Sequence, residues 1–177
     1  MRYLFLLFGM MGLFSCAPSL SYYTEKVHHE LGRHEGDLKD IQFYISRDIV
    51  LWRDVSSGTS VVSNGKIKMV EGRRVEEVII EHGTPCVFLF SPKKDQYAIG
   101  FDPNDDSKFL VFAPSSQMNG RYVLLAKEWG KSFGKVSYGD QVYKTSAESA
   151  YSYLMADIKR AQRTKITSTK ESGRRVK

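Results

Sequence analysis

Lys135-Val136-Ser137-Tyr138-Gly139-Asp140-Gln141-Val142-Tyr143-Lys144 is the stretch on which the reading of the fold turns. Gly139-Asp140 divides two short arms, Lys135–Tyr138 and Gln141–Lys144, as the turn of an antiparallel hairpin does. Met118-Asn119-Gly120-Arg121 repeats the device ahead of Tyr122–Ala126. Val61-Val62-Ser63-Asn64-Gly65-Lys66-Ile67-Lys68 places a third such dipeptide between strand-like arms. Asn and Gly tolerate the positive φ angles of a type I′ turn, whose twist matches that of the strands it joins. Upstream, Ile41, Phe43 and Ile45 alternate with Gln42, Tyr44 and Ser46, so one face is buried and the other wetter. Asp48–Asp54 forms a second candidate strand. Val75–Ile80, Cys86–Phe90, Tyr97–Phe101 and Phe109–Phe112 follow, cut by Gly83-Thr84-Pro85, Ser91–Asp95 and Asp102–Lys108. About ten short strands at this spacing predict a mainly β domain, either a small antiparallel β-barrel or a curled sheet or sandwich, because an open meander of that length would leave exposed edges.

The pattern changes at Thr145. Thr145 and Glu148 have the spacing of a capping box, and Ala147, Ala150, Tyr151, Leu154, Ile158 and Ala161 then follow a three–four spacing. This predicts one C-terminal α-helix over 145–165 that closes the domain by covering a barrel end or a sheet face. Leu154 is expected on its buried side.

The formal charge of +6 over 177 residues is unevenly placed. Residues 159–177 hold Lys159, Arg160, Arg163, Lys165, Lys170, Arg174, Arg175 and Lys177 against Glu171 alone, whereas residues 16–158 carry slightly more acid than base. The basicity therefore belongs to a terminal segment and not to a folded face, which argues against a nucleic-acid interface. Residues 166–177, rich in Lys, Arg, Ser and Thr, read as a basic, disordered tail with an anionic lipid or cell-wall surface as its natural target.

Residues 1–16 read Met-Arg-Tyr-Leu-Phe-Leu-Leu-Phe-Gly-Met-Met-Gly-Leu-Phe-Ser-Cys, with Arg2 as the sole charge. The apolar run is too short to span a hydrocarbon layer of about 30 Å and suits a secretory signal. Leu13-Phe14-Ser15-Cys16 resembles the lipobox of bacterial lipoproteins, with Leu13, Ser15 and Cys16 matching and Phe14 standing where a smaller residue is usual. The resemblance implies a signal peptide over 1–15, cleavage before Cys16, and acylation of that cysteine. Several acyl chains anchor durably where one holds only marginally. It also implies a periplasm-facing protein, and the absence of an aspartate directly after Cys16 favours the outer over the inner membrane. Pro18 to Gly36 shows no firm period, so residues 16–36 are expected to be a lipidated tether, partly helical near Tyr22–Leu31. The β domain is then 37–165.

No motif in this sequence carries chemistry intact. Gly130-Lys131-Ser132-Phe133-Gly134 has the spacing of a hydrolase nucleophile elbow, but it falls between two β arms. His28, His29, His34 and His82 all precede Ser132, the reverse of the order that family requires. The same glycine run ends like a phosphate-binding loop, yet Leu125 stands where the upstream glycine is needed. Asp102, Asn104 and Asp106 occupy the first ligand positions of a calcium loop, with Ser107 replacing the turn glycine and Ala113 the closing acid; a solvated loop is the simpler account. His28, His29 and His34 could hold a transition metal only if a helix did not splay the first two about 100° apart. Once Cys16 is lipidated, Cys86 has no partner in the chain and reads as a small buried apolar residue. Trp129, Phe133 and Tyr138 flank the glycine-rich turn and are the candidate binding surface. The expected function is therefore a lipid-anchored envelope module that binds or assembles without catalysis or cofactor. An envelope hydrolase with a non-local active site and a carrier of a small apolar ligand are the alternatives.

Overall fold

A computed structural model describes residues 19–32, 35–55, 65–70, 72–130 and 132–164. The fold is mainly β and consists of two antiparallel sheets. The first has seven strands in the order β1 (Ser21–Tyr22), β13 (Leu154–Ala156), β2 (Phe43–Ile45), β6 (Pro85–Phe90), β7 (Tyr97–Gly100), β8 (Phe109–Ser115) and β9 (Arg121–Leu124). The second has six: β10 (Glu128–Trp129), β11 (Phe133–Tyr138), β12 (Gln141–Ser146), β3 (Ile49–Asp54), β5 (Arg73–Ile80) and β4 (Lys66–Val70). Three short helices, α1 (Glu25–Leu31), α2 (Glu35–Leu38) and α3 (Ile158–Thr164), complete it. The chain passes between sheets after β2, β5, β9 and β12, which ties the two layers over one core.

The seven-stranded sheet curls until its ends meet. Tyr23 N–H donates to the Leu154 carbonyl at 2.9 Å and Tyr122 N–H to the Tyr23 carbonyl at 3.3 Å, while isolated bridges join Thr24 to Arg121 and Val123 to Tyr153. These bridges fall short of a continuous ladder, so the architecture is a curled sheet packed as a sandwich and not a closed barrel. The inward residues follow the period of two. Cys86 and Phe88 on β6, Leu110 and Phe112 on β8, and Tyr122 and Leu124 on β9 are buried, while their neighbours in sequence are less so. β7 is buried on both faces, because Leu89 bulges out of the β6 ladder and lies over Gly100, where even a Cβ would come within 3.0 Å of its side chain.

Turns stand where the sequence predicts them but are not two-residue type I′ hairpins, since Asp140 does not adopt positive φ and residues 116–120 join β8 to β9. Tyr138 pairs with Gln141 across Gly139, whose φ is +58°. Asn119 and Gly120 both adopt positive φ, at 54° and 71°, and end a connection that starts as a 3₁₀ turn at Ser116–Met118. Residues 56–64, which hold most of the Val61–Lys68 hairpin expectation, lie outside the described residues. β4 instead turns into β5 at Gly72, with φ at 76°.

Two expectations are corrected. The helix predicted over 145–165 is confined to α3. Thr145 is buried in β12, Ser146 caps a 3₁₀ turn at Ala147–Tyr151 by accepting from Ser149 N–H, and β13 follows. The three–four spacing is overridden because β1 and β2 both need a partner: Ser21 and Tyr22 pair with Ala156 and Met155, and Phe43, Tyr44 and Ile45 with Ala156, Met155 and Leu154. A helix there would leave both strands' backbone groups unpaired. The tether expected over 16–36 is also partly folded. Tyr23 and Leu31 are buried, and α1 is capped by Thr24, whose hydroxyl accepts from Val27 N–H at 3.1 Å, and by Gly32 in the left-handed conformation. Residues 1–18 and 165–177, which carry the lipobox and the basic tail, lie outside the described residues.

Candidate functional site

The expected aromatic surface does not form as a unit. Phe133 and Tyr138 are five positions apart on β11, so the pleat sends them to opposite faces. Tyr138 is buried with its ring 6.3 Å from that of Tyr143, and burial pushes its phenol pKa up. Phe133 faces outward beneath Lys144, whose Nζ lies 5.6 Å from the ring centroid. Trp129 pairs with Gly134 across β10 and β11 and lies flat over it; a Cβ at Gly134 would stand 2.7 Å from the indole. Only Trp129 contributes to a concave surface. It lines a groove of about 640 Å³ with Pro114, Met118, Leu125, Ala150 and Tyr151. Trp129, Leu125 and Tyr151 are all exposed there. Tyr151 was read from the sequence as part of a buried helix stripe; its place in the 3₁₀ turn brings it to this groove instead.

The polar candidates resolve differently. Asp102 accepts from Asn104 N–H at 2.9 Å and pairs with Lys108 at 2.6 Å, and Asp105 accepts from the Ser107 backbone and hydroxyl. The hydrogen bond from Lys108 holds the Asp102 carboxyl below its ordinary pKa. These are Asx turns closed by a lysine, and Asp106 takes no part in them. Among the described residues no group of three or more His, Cys, Asp or Glu side chains is placed to hold a metal ion. His34 lies outside the described residues, and α1 turns His28 inward while His29 stays exposed. Ser132 is exposed in the turn between β10 and β11, so the strand-to-helix corner of a nucleophile elbow is absent there. Cys86 is buried, and burial alone pushes its thiol pKa well up, which keeps it protonated and unreactive.

The densest polar arrangement is one the sequence did not reveal. Tyr122 O–H donates to the Tyr97 oxygen at 3.0 Å, and the hydroxyls of Tyr97 and Tyr23 each lie 3.1 Å from His28 Nδ1. The rings of Tyr97 and Tyr122 stack with centroids 4.4 Å apart and planes 13° from parallel. Two phenol hydroxyls thus meet at His28 Nδ1, where the donor and acceptor roles follow from the imidazole tautomer. Burial lowers the His28 pKa, with His29 acting in the same direction and Asp95 and Glu25 opposing. Burial also raises those of Tyr97 and Tyr122. His28, Tyr97 and Tyr122 are thus each pushed toward the neutral form. An acid–base site needs a nucleophile or acid moved toward ionisation at working pH. This network does the opposite and serves to dock α1 onto the curled sheet. No local sequence signal marks it, because Tyr23 and His28 lie about 70 to 100 positions from Tyr97 and Tyr122.

The interior of the curled sheet is packed with apolar and aromatic side chains. Tyr23, Phe43, Ile45, Ile99, Phe112, Tyr122 and Leu154 are all essentially inaccessible to solvent. No helix among the described residues is long and apolar enough to cross a membrane. Comparison with protein-family models, curated proteins and solved structures gives no match to this chain.

Proposed function

We propose that this chain is a lipid-anchored envelope lipoprotein whose β domain is a non-catalytic binding or assembly module. The observation that carries the reading is the filled interior. A carrier of an apolar molecule needs an enclosed apolar cavity; the inside of the curled sheet is packed with Tyr23, Phe43, Phe112 and Tyr122, and the groove between β8 and β11 is open and partly lined by Lys93, Lys127 and Ser137. A hydrolase needs titratable groups converging on a cleft; the set around His28 is pushed toward neutrality and tied to α1, and the Arg53–Glu76 pair is closed on itself inside the six-stranded sheet. What remains open is apolar surface such as the Trp129 groove, which suits a protein contact more than a reaction. The anchor follows from the resemblance of Leu13–Cys16 to a lipobox. On this reading the membrane is the first partner, through the lipid on Cys16; an envelope protein at the Trp129 groove or an anionic surface at residues 166–177 is the second. The outer membrane is favoured as the address.

Intact-mass analysis of protein extracted from membranes, together with titration of a fluorescent fatty acid, tests both halves. The expected result is a mature chain starting at an acylated Cys16 and no saturable uptake of the fatty acid. An unmodified Cys16 refutes the anchor, and saturable uptake refutes the module in favour of a carrier.

A further inference from the structure

The outer face of a half-exposed antiparallel sheet is normally polar. On the seven-stranded sheet one row departs from this. Tyr22 of β1 is registered with Met155 of β13, Met155 with Tyr44 of β2, and Tyr44 with Pro85 of β6. Directly paired residues share a face, so these four side chains form a continuous apolar and aromatic stripe across four strands. None is buried: Tyr22 and Pro85 are exposed, and Met155 and Tyr44 are partly so. Val87 widens the stripe on β6, and Tyr153 on the other flank meets Tyr22 edge-to-face at 5.0 Å. The Arg121 guanidinium lies 4.0 Å from the Tyr22 ring centroid and 4.9 Å from that of Tyr153.

We propose that this stripe is the face the domain lays against the bilayer, with its rings at the level of anionic phospholipid headgroups. The proposal rests on the lipoprotein reading for its geometry. β1 begins at Ser21, so residues 17–20 alone separate it from Cys16, five steps of chain that reach at most about 18 Å. A domain leashed that closely must present some face to the membrane, and the stripe starts on the very strand that the leash enters. Tyrosine at an interface places its ring among acyl carbonyls and its hydroxyl in water, and an arginine stacked on it offers a planar donor fork to phosphate. Charge agrees. Ser21 is paired with Ala156, and α3, which carries Lys159 and Arg160, begins two residues later. Beside Tyr44 and Val87 a shallow groove holds Lys39 and Arg160 together with Asp40 and Asp157, so local charge there is balanced and the cation at the stripe itself is Arg121.

Hydroxyl-radical footprinting of the full-length, membrane-extracted protein, reconstituted into vesicles of phosphatidylglycerol and phosphatidylethanolamine, tests the assignment. Oxidation of Tyr22, Tyr44 and Met155 should fall severalfold relative to detergent, while Met69, the exposed methionine of β4, reacts as before. Unchanged oxidation of the three on an acylated chain overturns the proposal. Protection seen in native membranes but not in pure-lipid vesicles also overturns it, since a protein would then cover the stripe. Intact mass on the same sample separates this from the anchor: protection that persists with an unmodified Cys16 sinks the lipid anchor and leaves the face assignment standing.

Discussion

The inner faces of the two sheets follow the same alternation but hold different chemistry. The seven-stranded sheet buries aromatic rings, and its polar atoms are phenol hydroxyls satisfied by one another and by His28. The six-stranded sheet buries a charge. Arg53 and Glu76 are registered across β3 and β5, and Arg53 Nε donates to Glu76 Oε2 at 2.6 Å; Glu76 is inaccessible and Arg53 is 19% exposed. Arg53 also donates to the Gln141 side chain at 3.0 Å and lies 5.7 Å from the Tyr143 ring centroid. The comparison teaches where each sheet is vulnerable. Neutral hydroxyls exchange water hydrogen bonds for internal ones at small net gain, so the first sheet depends on ring packing. A buried ion pair has paid two desolvation costs, so the second depends on keeping both partners.

Removing the packed ring should cost most. Tyr122→Ala is expected to lose about 4 kcal/mol, from the cavity and the lost hydrogen bond to Tyr97, read by denaturant unfolding. A loss near that of an exposed substitution would mean the curled sheet can collapse around the gap, and the contrast with its neighbour would vanish.

Arg53→Met should cost about 3 kcal/mol at neutral pH, because Glu76 is then buried without this cation. The sign with pH is specific. Without Arg53, desolvation raises the folded pKa of Glu76 above its unfolded value of about 4.3, so its protonated form is favoured by folding. The deficit relative to wild type should therefore shrink as pH falls from 7 toward 4.5. Arg53→Met combined with Glu76→Leu should recover much of the loss at pH 7. A deficit that does not change with pH would show that Glu76 is not the group at stake.

The smallest effect belongs to His28. Its folded pKa lies below the ordinary 6.5, so above 6.5 both states are neutral and the group contributes no pH dependence. As pH falls below 6.5 the unfolded chain takes a proton that the folded chain resists, and stability declines. Thermal melts at pH 7.5 and 5.5 should show a larger drop for wild type than for His28→Gln. Parallel drops would place the acid sensitivity elsewhere and remove the docking network from the comparison.

How much of this was legible can be argued from particular residues. Most strands between Phe43 and Lys144 stood out because alternation, Gly139 and Asn119-Gly120 are signals carried within a few neighbouring residues. Parity along β11 also held the information that Phe133 and Tyr138 face apart, although the aromatic grouping by proximity hid it. The Tyr97–Tyr122–His28 network was not legible, since its members come from three distant elements that meet only when the sheet curls.

The sequence by itself determined the β class, the placing of most turns and the lipobox-like Leu13–Cys16, because each depends on local spacing and backbone preference. Only the tertiary structure decided that Leu154–Ala156 is a strand and that Ser21–Tyr22 belongs to the fold and not to a leash. Two- and three-residue strands carry almost no periodicity of their own. They exist because β2 offers unpaired backbone to β13, and β13 in turn to β1; the need to satisfy those hydrogen bonds outweighs the helical spacing written into residues 145–161.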